Sequence, residues 1–135
     1  MKRLKFDYGF PQMARILPET PRPEGDGWWI AHVEINEEYA KFAKMRAAIT
    51  GQMDMVEPGT YVMLRHRRRV EGVGRDDIYS ETTWMSDTWM ERDSNRAILR
   101  AARGDVLLVG LGIGMCAVAM CRKPEVRSVT VLEIE

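Results

Sequence analysis

The stretch from Asp105 to Glu135 constrains the fold more than any other part of this chain. It opens with the apolar run Val106-Leu107-Leu108-Val109, passes through Gly110-Leu111-Gly112-Ile113-Gly114, continues into an apolar segment of helical length and closes with Val129-Thr130-Val131-Leu132-Glu133. Read in order this is strand, glycine turn, helix, strand, and its length matches the roughly 30 residues of one βαβ unit. The continuous apolar strands predict burial on both faces, as in a parallel sheet covered by helices. Glycines in the turn permit a tight bend and let a ligand lie directly on the backbone. Glu133 follows 19 residues after Gly114, at the end of the next strand, where a carboxylate can accept both hydroxyl hydrogens of a ribose. A dinucleotide fingerprint would require a glycine where this chain has Met115, so Gly-x-Gly-x-Gly favours a nucleoside without a pyrophosphate. Glycines alone would equally fit an ordinary α/β turn. The flanking strand, the intervening helix and the acid at this distance are what point to a ligand.

The preceding residues read as an N-terminal α+β region, 1–87, which leads into the unit that starts at 88 and runs to 135. Residues 11–27 carry four prolines and end in Gly25-Asp26-Gly27, which predicts a surface connection without helix or central strand. Trp28 to Ile35 is rich in aromatic and β-branched residues and predicts a strand. Asn36 offers an N-cap, Glu37 and Glu38 suit the first turn, and Gly51 is a stop signal. Tyr39, Phe42, Met45 and Ile49 then form the apolar face of an amphipathic helix over 37–50. Pro58-Gly59 turns the chain into a strand over 60–69, with Tyr61, Met63, Arg65, Arg67 and Arg69 on one face and Val62, Leu64, His66 and Arg68 on the other. Gly72 and Gly74 break it, and Asp77 to Met85 is a second strand that forms a hairpin with the first. Thr88-Trp89-Met90-Glu91 has capping-box spacing and starts a helix over 89–102, with Arg100 and Arg103 near its end and Gly104 as the stop.

Composition narrows the function classes. Twenty Lys plus Arg balance twenty Asp plus Glu in 135 residues, which excludes a polybasic binder. A single domain of this size buries roughly two-thirds of its unfolded surface without needing metals or disulfides. Cys116 and Cys121, four residues apart in between, fit neither a Cys-x-x-Cys pair nor a zinc spacing and read as buried thiols of a reducing, cytoplasmic compartment. The N-terminus lacks signal-peptide character, and no run approaches the ~20 apolar residues of a membrane span. Arg65-His66-Arg67-Arg68-Arg69 alternates between strand faces beside Glu71, Asp76 and Asp77, which argues against nucleic acid. His32 and His66 have no ligand partners at metal spacing. A Gly-x-Ser-x-Gly elbow is absent from the sequence. Met85, Met90, Met115 and Met120 are expected to fill gaps in the core.

Val106-Leu107-Leu108-Val109-Gly110-Leu111-Gly112-Ile113-Gly114 resembles the first motif of class I S-adenosylmethionine-dependent methyltransferases, and within them the spermidine synthase branch. That branch continues with a Lys-(His)-Pro-x-Val-x-Ser-Val stretch and an acid-Ile-acid ending; this chain has Lys123-Pro124-Glu125-Val126-Arg127-Ser128-Val129 and Glu133-Ile134-Glu135. Leu108 stands where most class I methyltransferases carry an acid, although the spermidine synthase branch is apolar there as well. The resemblance implies an α/β chain whose C-terminal part is the first βαβ unit of a Rossmann-like fold, with S-adenosylmethionine or its decarboxylated analogue as cofactor. Gly110, Gly112 and Gly114 would line the cofactor site, Glu133 would hold the ribose hydroxyls, and Glu135 would be structural. Transfer would follow in-line attack of an acceptor on the carbon attached to the sulfonium; no catalytic base can be named from the sequence. Spermidine synthases carry an acidic segment ahead of the glycine strand, which Met85-Ser86-Asp87-Thr88-Trp89-Met90-Glu91 matches in part. Asp87 and Glu91 would border the pocket mouth there, though helix capping is the stronger explanation of both. Acids that select a polycation would make the protein an aminopropyltransferase, and a non-catalytic nucleoside-binding or assembly module is the third reading. The family draws catalytic residues from loops after its third and fourth strands, so the expectation is a truncated chain with an open sheet edge, or one that pairs this edge with another copy.

Overall fold

The computed structural model describes residues 8–52, 57–70 and 78–134. Their order is a 3-10 turn (Met13–Arg15), β1 (Gly27–Ile35), α1 (Glu37–Thr50), β2 (Gly59–Arg69), β3 (Tyr79–Ser86), α2 (Trp89–Ala101), β4 (Gly104–Val109), α3 (Met115–Cys121) and β5 (Val126–Leu132). The fold is mixed α/β with two small sheets, an antiparallel β1-β2-β3 and a parallel β4-β5 pair joined through α3. Gly72, Gly74 and the acids Glu71, Asp76 and Asp77 lie outside the described residues, as does Glu135.

One core joins both sheets. Phe10 and Met13, Val62 of β2, Leu99 of α2, Ile113 of the glycine turn, and Met115, Ala119 and Met120 of α3 form a continuous buried cluster. The Pro-rich segment is therefore more than a surface connection, because its 3-10 turn inserts Met13 into the centre. At its heart sits Asp87. Its Oδ1 accepts from Val62 N at 2.7 Å, and its Oδ2 accepts from Met13 N and from the Arg92 guanidinium, each at 3.2 Å. Asp87 is 0% and Arg92 1% exposed, so this pair is a buried charge clamp across three segments.

Several sequence expectations change here. In α1 the caps are as read: Asn36 Oδ1 accepts from Tyr39 N at 2.8 Å, and Gly51 ends the helix at φ 72°. The buried face, however, is Ala40, Ala43 and Ala47. Tyr39, Phe42, Met45 and Ile49 are 40%, 55%, 58% and 81% exposed. The helix carries two apolar stripes, and the alanine stripe wins because small side chains let it approach Ile35 and Tyr61 closely, with which Ala40 forms a second cluster. In α2 the capping box does not form. Thr88 is fully buried and its hydroxyl pairs with Ser86 Oγ at 2.8 Å instead of the Glu91 amide. The far end of α2 is closed by Lys123, whose Nζ donates to the carbonyls of Leu99 at 2.6 Å and Ala102 at 2.8 Å.

The strands β4 and β5 alternate in burial instead of being covered on both sides. Val106, Leu108 and Val129 pack on the core, whereas Leu107, Val109 and Leu132 are exposed. Among the described residues helical cover reaches one face, which is why continuous apolarity overstated the burial. Their pairing is pinned at one end by Asp105, which accepts from Arg127 Nε at 2.9 Å and Ser128 Oγ at 2.7 Å. The Arg127 guanidinium and the Ser128 hydroxyl hold the Asp105 carboxyl below its ordinary range. Of the methionines, Met115 and Met120 do fill the core, while Met90 is exposed. Cys116 is half-buried and Cys121 exposed, so neither is a fully buried thiol. No helix among the described residues is long and apolar enough to cross a membrane.

Candidate functional site

The glycine turn is built where β4 ends. Gly110, Gly112 and Gly114 have φ of 87°, 55° and 75°, a backbone that side-chain-bearing residues rarely adopt. Parallel pairing sets Val109 beside Leu132, and Gly110 N donates to Leu132 O at 2.8 Å. The next residue of β5's exit is Glu133, so the register itself delivers the acid to the turn. Glu133 Oε2 accepts from Leu111 N at 2.6 Å and Oε1 from Ile134 N at 2.9 Å. All four residues singled out from the sequence thus stand together at the carboxyl ends of two parallel strands. That crevice is where open α/β sheets characteristically bind ligands.

A residue that sequence spacing does not reveal completes the site. In the β2–β3 pairing Leu64 faces Met85 while Arg65 faces Thr83, which leaves Trp84 as an extra residue. This bulge breaks the strict alternation of β3 and aims Met85 at the core side, where it packs beside Leu64. Its Sδ accepts from Ile113 N at 3.4 Å. It also fills the space above Gly112, where an added Cβ would lie 2.7 Å from Met85 Cε. Gly112 is therefore favoured by its φ, and the nearest neighbour an added Cβ would meet is the flexible end of Met85, whereas an added Cβ at Gly110 meets nothing.

Beside the turn lies a cavity of about 220 Å³, lined by Met85, Glu91, Leu108, Gly110, Leu111 and Cys116 among others. Ligand pockets commonly reach roughly 300–1,000 Å³, so with Met85 in this position the space is small for a nucleoside. Burial pushes the Cys116 thiol up, and the negative charge of Glu91 adds to it. Cys116 thus enters the cavity as a neutral thiol at neutral pH. Of the two acids flanking α2, Glu91 lines this cavity, but Asp87 does not. Its carboxylate is interior and engaged by two amides and Arg92, which corrects the expectation that it borders a pocket mouth.

The arginine run is divided by the two faces of β2. Arg65 lies over the Trp29 ring at 5.2 Å and 3.7 Å from Glu81, and Arg67 lies over Tyr79 at 4.2 Å. On the opposite face His66 stacks on Trp28 at 4.3 Å. His32 Nε2 is 2.8 Å from Leu17 O. Among the described residues no group of three or more His, Cys, Asp or Glu is placed to hold a metal ion. No protein-family model matches this chain, and neither a curated protein nor a solved structure matches it.

Proposed function

We propose that the glycine turn and Glu133 form the nucleoside end of a binding site for S-adenosylmethionine or its decarboxylated analogue. In this reading β4, α3 and β5 open a Rossmann-like methyltransferase fold in a cytoplasmic transferase of the spermidine synthase-like kind. The observation that carries it is the meeting of Glu133 with the Gly110–Gly114 turn through the parallel register. Glycines at 110, 112 and 114 keep side chains off the path of a ligand. A carboxylate has about four acceptor directions, so Glu133 can orient the turn and accept from ribose hydroxyls with the same group. When bound, the cofactor supplies an electrophilic carbon on a sulfonium. The chain's own contribution is to hold the nucleoside in one orientation, which is how enzymes remove much of the entropic barrier to attack. The fit requires Met85 to rotate away from Gly112, because its thioether now occupies part of the space beside the turn. Methyl transfer is the better-supported chemistry than aminopropyl transfer. The polycation-selecting role needs acids near Asp87; Asp87 itself is buried, which leaves Glu91 as the one acid of this pair on the cavity.

Isothermal titration of the chain with S-adenosylmethionine, with its decarboxylated analogue and with NAD tests the proposal. Saturable binding of a sulfonium nucleoside but not of NAD, lost in Gly112→Val and weakened at least tenfold in Glu133→Gln, is the expected result. Equal binding of NAD, or binding indifferent to Glu133→Gln, would overturn it.

A further inference from the structure

The antiparallel sheet carries a surface that the glycine-turn site leaves unexplained. One of its faces packs on the core through Ile30, Leu64 and Met85. Alternation carries that same face along the strands to Trp28, His66 and Thr82, which lie in one cross-strand row, and then to Arg68 and Ser80, which lie in the next. The bulge that aims Met85 at the core also brings Trp84 onto this face, edge-on to Trp28 at 5.4 Å and to His66 at 6.5 Å. His66 is stacked on Trp28, whereas Trp84 is 63% exposed, so its indole is open to stack a planar ring. Together His66, Arg68, Ser80, Thr82 and Trp84 wall a groove of about 740 Å³.

The arginines of β2 differ in what they already hold. On the opposite face Arg65 lies beside Glu81 and over Trp29, and Arg67 lies over Tyr79 and donates to Pro23 O at 2.9 Å. Arg68 is exposed in the groove, and its guanidinium has no ion pair, hydrogen bond or ring partner among the described residues. The acid that lines the same groove, Asp26, already accepts from Arg69 N at 2.5 Å.

We propose that this groove binds a nucleoside monophosphate, with the base against Trp84 and the phosphate on Arg68. A guanidinium presents paired donors to phosphate oxygens, and the Ser80 hydroxyl beside it in register adds another. Arg68 stands two residues beyond His66 on one strand face, about 7 Å along β2, so ring and cation are offset as a base is from its own phosphate. A neutral sugar would use the indole without the cation, and a bare phosphate the cation without the indole. One unpartnered arginine serves one phosphate, which favours a mononucleotide over the extended cationic track that a single strand follows. The volume lies within the roughly 300–1,000 Å³ usual for small-ligand sites. This groove shares no lining residue with the cavity at the glycine turn, so the proposal does not rest on the S-adenosylmethionine reading.

Isothermal titration of the full chain with AMP, with adenosine and with hexa-adenylate tests the proposal. Saturable binding of AMP is expected, at least fivefold tighter than adenosine. Arg68→Gln and Trp84→Leu should each weaken it at least fivefold, and Glu133→Gln should leave it within about twofold. Both substituted positions are exposed, so far-UV circular dichroism should be unchanged in the two groove variants. No binding of AMP up to about 5 mM, adenosine binding as tightly as AMP, or indifference to either groove variant would overturn the proposal. Loss of AMP binding in Glu133→Gln would overturn it too, by moving the nucleotide to the glycine turn. Hexa-adenylate binding more than a hundredfold tighter than AMP would replace the mononucleotide by a nucleic-acid strand.

Discussion

Two carboxylates, Asp87 and Glu133, end strands in the two sheets and accept hydrogen bonds from backbone amides, yet they serve opposite ends. Asp87 closes β3 with no exposed surface, taking amides from Met13 and Val62 and a guanidinium from Arg92. Glu133 leaves β5 in the open, accepting from Leu111 in the turn of the neighbouring strand and from Ile134. The first joins segments 74 and 25 residues away in the chain, and the second organises a turn that a ligand can reach. The sequence pointed Glu133 at ribose hydroxyls, whereas for Asp87 helix capping was the stronger explanation and a place at the pocket mouth the weaker one. Burial separates them, because a charge removed from water must be satisfied by the protein, whereas an exposed one can still accept from something else.

Breaking this contrast calls first for substitutions at the buried clamp. Asp87→Asn and Arg92→Met each leave the other charge buried without its partner, and each should cost about 3–5 kcal/mol of stability. Arg92 already has Nε and Nη1 without hydrogen-bond partners, so it has no alternative acceptor to fall back on. Glu133→Gln should shift stability by less than about 0.5 kcal/mol, as exposed substitutions commonly do. Urea unfolding curves for the three variants would decide the matter, and a Glu133→Gln as damaging as Asp87→Asn would erase the distinction.

The next effect concerns Met85, which links the two regions by reaching from β3 to the glycine turn. If it occupies ligand space, Met85→Ala should tighten binding of S-adenosylmethionine severalfold while costing about 1 kcal/mol in stability, less than a fully buried truncation. Titration calorimetry reads the first and thermal melting the second. Weaker binding in Met85→Ala would make the thioether a ligand contact and not an occupant of the site.

How much of this was legible beforehand follows from what each feature depends on. The turn at Gly110–Gly114 and the arrival of Glu133 depend on local backbone chemistry and on parallel pairing of adjacent segments, and both can be read from spacing. The caps of α1 are local too, and Asn36 and Gly51 stand where their residue types predict. The buried face of α1 could not be read this way, since Tyr39-Phe42-Met45-Ile49 and Ala40-Ala43-Ala47 both have helical spacing and only the partner surface chooses between them. Met85 was hidden by the bulge at Trp84, which changes which way a strand residue points without any signature of its own. Asp87 was misplaced because its donors come from Met13 and Val62, far away in sequence. The arrival of Lys123 at the end of α2 is likewise a tertiary event. It accounts for a lysine in the resembling stretch by structure alone, without any ligand. Lys123→Met should cost about 1 kcal/mol in thermal unfolding by uncapping the last carbonyls, and should leave nucleoside binding unchanged.

The smallest effect separates the regions by pH. Cys116 lines the cavity with its thiol held above an ordinary value of 9.0, first by burial and then by Glu91. A raised value in the folded state means that the folded chain keeps the proton after the unfolded chain has released it. The resulting stability is complete below about pH 9 and is lost as pH rises through the folded-state value. Unfolding free energy should therefore decline on the alkaline side of pH 9, and Cys116→Ser should remove that part of the decline. The same shift makes the thiol a poor nucleophile, so alkylation by iodoacetamide at pH 8 should be slower at Cys116 than at the exposed Cys121. Glu91→Gln should bring the two rates closer together. If Cys116 instead reacted faster, the cavity would hold a thiolate, and the glycine-turn region would carry a reactive group in addition to the exposed carboxylate of Glu133.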